Sequence, residues 1–242
     1  MLLRDIVFLF RHKLYFKEKI MKKLSLLSAL CLMLSACEME LDIPVKISEL
    51  LSAETQNVTG TIAVEVSACA SYEDSRIPSE SLTEVRTKIK GIIPSAEYVQ
   101  CYTKEMNSYA EFNIKINVKH DVETASDGIS LLSDGTGALG IHIPNDVTEQ
   151  IKQALYGSSD VSISFSITND TDKQVKYVVG ASYLNNQPFP LGNTFILLPN
   201  HSLDIRLSDV AKDYILQGNN FIILIPDNDD EQQASESSEQ AE

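Results

Sequence analysis

The sequence predicts an α+β fold made mainly of antiparallel strands, with two or three short helices. Three observations predict it. Many short segments alternate apolar and polar residues with the period of a strand, a few others space apolar residues as a helix does, and Asn, Pro and Gly separate them. We expect an N-terminal β-α-β-β unit over residues 37–121, followed by a sandwich-like β unit over residues 128–226.

The first unit is predicted from alternating segments around one helical segment. Alternation begins at residues 40–47, close behind Cys37, and it is clearest at residues 110–118, which predict a half-buried strand. Residues 81–90 carry a helical stripe that ends before Gly91. The remaining predicted strands of this unit are residues 58–66 and 98–103.

The second unit follows a polar connector, residues 122–127, and is predicted to be rich in strands. Asn145 can cap a helix over residues 147–155, and a second short helix is predicted near residues 209–216. The predicted strands are residues 129–132, 138–143, 161–167, 175–184, 194–198, 203–207 and 221–225. Residues 227–242 are acidic and lack an apolar face, so they predict a disordered tail.

The charge is unevenly distributed along the chain. Residues 1–36 hold seven Lys or Arg and two acids; taking these from the totals of 20 and 34 leaves 13 basic and 32 acidic residues, a net charge near −19. Such a body repels phosphate backbones and anionic lipid headgroups. The composition therefore argues against nucleic-acid binding and against membrane attachment through a basic patch.

An export signal is predicted at residues 21–36. Lys22 and Lys23 precede thirteen mostly apolar residues, which would extend only about 20 Å as a helix and so could not cross a hydrocarbon core of about 30 Å. A short apolar run behind positive charge, ending in small residues, is typical of a cleavable signal peptide. The alternative is a buried helix of a cytosolic domain.

The end of this run, Leu34-Ser35-Ala36-Cys37, resembles the lipobox of bacterial lipoproteins. The resemblance implies cleavage by signal peptidase II before Cys37, acylation of its thiol, and membrane attachment through that lipid. Two or three acyl chains hold a protein far more firmly than one. Glu38, where an Asp would favour retention, implies the outer membrane, with the body facing the periplasm.

Residues 1–20 are apolar at first but are interrupted by Arg4 and Asp5, so they cannot span a bilayer. We expect Met21 to be the translation start, with residues 1–20 an upstream extension of the reading frame. The alternative is a long positively charged region in front of the signal, which would still permit export.

The four cysteines divide into two pairs. Cys31 lies in the predicted signal and Cys37 would carry lipid, which leaves Cys69 and Cys101. In an oxidising compartment an even pair of this kind predicts a disulfide. The alternative is two free, buried thiols.

No pattern of residues predicts catalysis, a cofactor or a metal site. Residues 135–140 match GxGxxG, but a predicted strand rather than a helix follows, which favours a turn. The histidines lack ligand spacing, and the tail acids lack the glycine and final Glu of an EF-hand loop. The histidines are His120, His142 and His201, and the tail acids are Asp227, Asp229 and Asp230.

These observations predict a membrane-anchored, non-enzymatic envelope lipoprotein whose body binds another envelope protein or has a structural role. The body is similar to lipoproteins of enteric bacteria and their prophages, without any functional residue carried by that similarity. The alternative is a small-ligand-binding or hydrolytic periplasmic lipoprotein. A pocket with converging polar groups would favour the alternative, whereas a filled body with an exposed apolar patch would favour protein binding.

Overall fold

The fold is mostly β, with a few short helices. The computed structural model describes residues 38–119, 128–154, 160–190 and 192–227. The chain divides into residues 1–36 and 37–242, and every described residue belongs to the second unit. The helices are α1 (Ile47–Leu51), α2 (Glu80–Ile92), α3 (Asn145–Ala154) and α4 (Asp209–Ile215). The described ranges contain no helix that is both long enough and apolar enough to cross a membrane.

Thirteen strands make up the β structure of the described residues. The first seven are β1 (Glu38–Lys46), β2 (Gln56–Val66), β3 (Glu97–Lys104), β4 (Asn107–Lys119), β5 (Ser130–Leu132), β6 (Leu139–His142) and β7 (Asp160–Thr168). The remaining six are β8 (Val175–Val179), β9 (Ser182–Leu184), β10 (Gln187–Phe189), β11 (Thr194–Leu197), β12 (Ser202–Leu207) and β13 (Phe221–Pro226).

All thirteen strands belong to one curled sheet. Its order is β10-β9-β12-β7-β1-β2-β4-β5-β6-β13-β8-β11, and β3 also pairs with β4. Every pairing is antiparallel except β1 with β7 and β4 with β5. The predicted α+β class with mainly antiparallel strands is therefore confirmed.

β1 joins the two halves of the sequence. It pairs with β7 in parallel from Glu38 opposite Asp160 to Lys46 opposite Thr168, and its other edge pairs with β2. Residues 37–121 and 128–226, which the sequence divides into two units, thus contribute to the same sheet.

Alternation along the strands explains where the core lies. In β1 and β7 every second side chain is buried, including Ile43 and Phe165, while the residues between them face outward. α2 covers the sheet with Leu82 and Ile89, and it begins at Ser79, whose hydroxyl accepts a hydrogen bond from the Leu82 amide at 3.1 Å. The largest fully buried side chains come from both halves of the chain, so the core is shared.

Three elements differ from the sequence-based expectation. Ile47 begins α1 instead of ending a strand. The predicted strand 175–184 divides at Gly180 into β8 and β9; a Cβ at Gly180 would lie 3.0 Å from the Ile222 carbonyl oxygen, a tight contact that favours glycine there. β10 was not predicted, and it follows β9 through Asn185 and Asn186, which both have positive φ. Such a turn closes a tight hairpin.

The disulfide between Cys69 and Cys101 is present, with the two Cα atoms 5.6 Å apart. It confirms the predicted pairing. The bond ties the segment after β2 to β3, which pairs within the described residues with β4 alone. β3 is therefore an edge strand held on one side by β4 and covalently by the disulfide.

Candidate functional site

The outer face of β1, β7 and β12 is polar and internally hydrogen bonded. The Ser164 hydroxyl donates to Asp42 Oδ1 at 3.0 Å, and the Ser166 hydroxyl donates to Asp204 Oδ1 at the same distance. The Arg206 guanidinium lies 4.7 Å from the centre of the Tyr183 ring. Serines and acids that satisfy one another in this way are typical of a hydrated surface.

The outer face of β13, β8 and β11 is richer in aliphatic residues, although Lys176 and Thr194 lie on it too. Ile225 lies opposite Val178, and Ile196 lies opposite Lys176, so these side chains share one face of the sheet. Ile196, Ile225 and two neighbouring aliphatic residues are about half exposed. We name this surface the apolar strip; it consists of Val178, Ile196, Leu198, Ile222 and Ile225.

A bulge in β13 places two of the five strip residues on the surface. The register of β13 shifts between Ile222 and Leu224, and as a result Ile223 and Leu224 are both buried. Ile222 and Ile225, which flank them, face outward. Four successive aliphatic residues are thereby divided equally between the core and the surface.

The apolar strip ends at an edge of the sheet. Among the described residues, β11 pairs with β8 and with no other strand. Near this edge, Lys176 Nζ and Asp227 Oδ2 form an ion pair at 2.8 Å. The strip therefore combines aliphatic side chains with an edge strand and one charge pair, a combination that can receive an apolar segment of another protein.

A second feature is a pocket of about 440 Å³ beside the strip, at the end of the molecule where β1 leads into α1. Pockets of this size accept small organic molecules. Its walls combine five aliphatic residues with five polar or charged ones. We name it the Tyr177 pocket; it is lined by Ile47, Leu51, Thr136, Gln174, Val175, Lys176, Tyr177, Ile196, Pro226 and Asp227.

The Tyr177 side chain is largely buried in the wall of this pocket. Tyr177 is only 3% exposed, and burial raises its pKa to about 12. Within the described residues this hydroxyl has no hydrogen-bond partner. A Cβ at Gly137, which has φ of +99°, would lie 3.2 Å from the hydroxyl oxygen. The backbone at Gly137 therefore packs closely against the Tyr177 hydroxyl.

The structure does not gather the histidines and tail acids considered in the sequence into one site. His142 lies on β6 and His201 in the turn before β12, whereas His120, Asp229 and Asp230 lie outside the described residues. No group of three or more His, Cys, Asp and Glu in the described ranges could hold a metal ion. Cys37 also lies outside the described residues.

Residues 135–140, the GxGxxG match, form a turn followed by a strand. Gly135 and Gly137 have positive φ, and β6 begins at Leu139. The first helix after them is α3, which begins at Asn145. No helix N-terminus follows the glycines directly, so the arrangement lacks the geometry of a dinucleotide site.

Sequence reasoning missed both the apolar strip and the Tyr177 pocket. The strip depends on the β13 bulge, which leaves no trace in a run of aliphatic residues. The pocket depends on contacts between α1, β8 and the turn at Gly137, which are remote in sequence. The available signal was the group of glycines at residues 135–140, since glycine often marks a close approach of the backbone to another part of the chain.

The comparisons with known proteins give one match. Neither the search of curated proteins nor the search of solved structures finds a match. The family model described as a domain of unknown function, DUF7424, matches residues 39–232. That span contains every described strand and helix apart from the first residue of β1. It covers most of the chain, and the chain therefore belongs to the DUF7424 family.

Proposed function

We propose that this chain is a bacterial envelope lipoprotein, held on the outer membrane by lipid on Cys37, and that its body binds another envelope protein through the apolar strip. In this proposal residues 21–36 are removed as a signal, and residues 37–121 and 128–226 form the body. The observation that carries the binding role is the apolar strip, exposed beside an edge strand.

The anchoring part is supported by the position of Cys37 relative to the fold. Glu38, the next residue, already belongs to β1, and β1 lies inside the sheet between β7 and β2. Lipid on Cys37 would therefore be attached to the body without an intervening linker. The lipobox-like residues 34–37 supply the chemistry, since the thiol is the group that is acylated.

The binding part is supported by the contrast between the two outer faces. The polar face of β1, β7 and β12 satisfies its own hydroxyl and carboxylate groups, whereas the apolar strip leaves aliphatic surface in water. Burial of that surface contributes roughly 25 cal/mol for each Å². Because the chain after Ala36 carries a net charge near −19, the partner that fits best presents an apolar segment surrounded by basic residues.

Fractionation of cells tests the anchoring. We expect Cys37→Ser to move the protein from the membrane fraction to the soluble fraction, and the parent's N-terminal peptide to carry the mass of acyl chains on Cys37. Cys31→Ser, within the predicted signal, is the matched control and should fractionate as the parent does. Unchanged membrane association of Cys37→Ser would overturn the anchoring.

Photocrosslinking in intact cells tests the partner. A benzophenone amino acid at Ile225 or Ile196 is expected to capture one discrete protein, and the same group at Asp204, on the polar face, is expected to capture none. Ile225→Asp should weaken the capture from position 196, since it places a charge in the contact. Equal capture from the strip and from Asp204 would contradict the proposal.

The Tyr177 pocket supports a second candidate function, the binding of a small ligand. Its walls, half aliphatic and half polar, suit a small molecule with an apolar part and several hydrogen-bonding groups, one of them close to the Tyr177 hydroxyl. Native mass spectrometry of the purified protein would then show a bound metabolite that Tyr177→Phe reduces and Tyr214→Phe, at an exposed position, does not. An unliganded parent protein, together with a crosslinked partner, would reject this candidate.

A further inference from the structure

The three most exposed large apolar side chains of the described residues come from three separate segments. Tyr72 is 105% exposed, Met106 is 96% exposed and Val210 is 78% exposed. Each projects fully into solvent, unlike the half-exposed side chains of the apolar strip. Single apolar side chains are ordinary on a soluble surface, so these three are informative only if the fold brings them to one end of the molecule.

Tyr72 and Met106 lie at the same end of the sheet. Val66, the last residue of β2, pairs with Ser108 at the start of β4, and Met106 lies in the tight turn just before β4. The segment that carries Tyr72 begins directly after Val66. Cys69 in that segment is bonded to Cys101 of β3, whose strand leads into the same turn.

Val210 lies on α4, which packs at the same end of the sheet. The Nζ atom of Lys212, two residues further along α4, lies 3.1 Å from Asp160 Oδ1. Asp160 is the first residue of β7 and lies opposite Glu38 in the parallel pair. α4 therefore packs at the end of the sheet where β1 and β7 begin.

Cys37 must attach at this same end. Glu38 is the next residue, and its Oε2 atom accepts a hydrogen bond from the Tyr109 hydroxyl at 2.8 Å. Tyr109 is three residues from Met106 along the chain. We name this part of the molecule the anchor end; it consists of Glu38, Tyr72, Met106, Asp160 and Val210.

The backbone at Met106 adds a second observation. Glu105 and Met106 form a two-residue turn in which both have positive φ, 51° and 75°. Asn and Gly are the residues that such a turn favours, because other side chains are strained in this conformation. A long apolar side chain at this position reduces local stability while presenting itself to solvent, which points to a contact outside the fold.

We infer that the anchor end lies against the bilayer, with Tyr72, Met106 and Val210 entering the headgroup region on the same side as the lipid of Cys37. The inference rests on the proposed anchoring, because the lipid determines which end meets the membrane. Asp160 and Asp209 are both paired with Lys212, which lowers the charge brought to the surface. A zwitterionic surface is therefore the expected partner, as an anionic one would repel the remaining acids.

The inferred orientation on the bilayer determines which surfaces of the protein remain accessible to a partner. The turn that contains Leu198 lies at the opposite end, since His201 bonds to Asn169, just beyond the end of β7. With the anchor end on the bilayer, Leu198 of the apolar strip and the Tyr177 pocket beside α1 both lie away from the membrane. A partner could then bind the strip while the protein remains anchored.

The absence of tryptophan from the sequence permits a direct test. Met106→Trp introduces a single fluorophore at the anchor end, and Leu198→Trp introduces the matched control at the far end. Each protein is purified from membranes in its mature form and reconstituted into phosphatidylcholine vesicles with brominated acyl chains. Side chains at an interfacial depth of about 5–10 Å lie close enough to the bromines for contact quenching.

We expect the Met106→Trp fluorescence to be quenched several-fold more than the Leu198→Trp fluorescence, and its emission to shift to shorter wavelength. Tyr72→Trp should behave as Met106→Trp does, and it serves if Met106→Trp fails to fold. Equal quenching at the two ends would overturn the inference.

Mass spectrometry of the same preparations separates this result from the proposed anchoring. If Cys37 carries acyl chains while the two ends are quenched equally, the orientation is wrong and the anchoring stands. If Cys37 carries none, the anchoring itself is wrong and the orientation falls with it.

Discussion

Asn169 is the side chain on which the turn after β7 depends. It is fully buried, its Nδ2 donates to the carbonyls of Lys173 and Leu197 at 2.8 and 3.0 Å, and its Oδ1 accepts from the Thr171 amide. Its backbone also bonds to His201 and Asn200. One amide side chain thus links the end of β7 to β11 and to the turn before β12.

We expect Asn169→Ala to lower the free energy of unfolding by about 2–3 kcal/mol, because it leaves buried carbonyl and amide groups without partners. Urea denaturation followed by circular dichroism measures the change. Asn57→Ala, at an exposed position of β2, is the control and should cost much less. Equal losses in the two variants would show that the Asn169 hydrogen bonds do not stabilise the fold.

Tyr177 gives the protein a pH dependence in the alkaline range. Burial raises the pKa of its hydroxyl to about 12 in the folded state, above the ordinary value of 10.0. An unfolded chain therefore loses this proton at lower pH than the folded chain does. The contribution of Tyr177 to stability is complete below pH 10 and is lost as pH rises toward 12.

Tyr177→Phe isolates this effect. Between pH 10 and 12, the parent should lose stability relative to the variant by up to about 1.4 kcal/mol for each pH unit. At neutral pH the two should be similar, because the hydroxyl has no hydrogen-bond partner among the described residues. A constant difference from pH 8 to 12 would mean that the hydroxyl titrates as an exposed one.

At the scale of elements, the disulfide secures an edge strand. Without it, β3 would be held by β4 and by the helix above it, and the segment after β2 would lose its covalent link to the sheet. We expect Cys69→Ala with Cys101→Ala to cost about 3–4 kcal/mol, the chain-entropy value for a loop of this length. Urea midpoints of parent and variant measure it.

The parent protein with its disulfide reduced is the matching control for this prediction. It should lose about as much stability as the double variant, since both lack the same link. If reduction leaves the urea midpoint where it was, the bond contributes nothing to the stability of the fold.

Elements with a strong local pattern could be predicted from the sequence. The alternation of residues 110–118 appears as β4, and the stripe of residues 81–90 appears as α2 with Leu82 and Ile89 buried. Each was predictable because a side chain's neighbours along its own strand or helix decide which face is apolar. The Cys69–Cys101 pair was predictable from the number of cysteines and from the oxidising compartment that the predicted signal implies.

Elements set by remote contacts could not be predicted in this way. Ile47 continues the alternation of β1, yet it begins α1, where it is fully buried. The bulge at Ile223 and the pocket below Gly137 depend on strands brought together from distant parts of the chain. The candidate sites arise from these contacts, which explains why no sequence motif marked them.

At the scale of the whole molecule, the pairing of β1 determines whether the two halves of the sheet unfold together. A parallel partner for a strand is separated from it by a long crossover, so local patterns do not reveal the pair. Here β1 pairs with β7 over nine residues, and its buried side chains Leu41, Ile43 and Val45 belong to the core shared by both halves. Neither half of the sheet could keep this core covered if the other unfolded.

We therefore expect residues 38–227 to unfold in a single cooperative transition. The Met106→Trp and Leu198→Trp proteins report on the two halves separately. In each of these proteins, the fluorescence and the circular dichroism should give the same urea midpoint. Ile43→Ala opens a cavity in the shared core and should lower the free energy of unfolding by about 2–5 kcal/mol. Both fluorescence midpoints should then fall together. Two separated transitions, with Ile43→Ala moving only one of them, would mean that the halves are independent domains that merely share an edge.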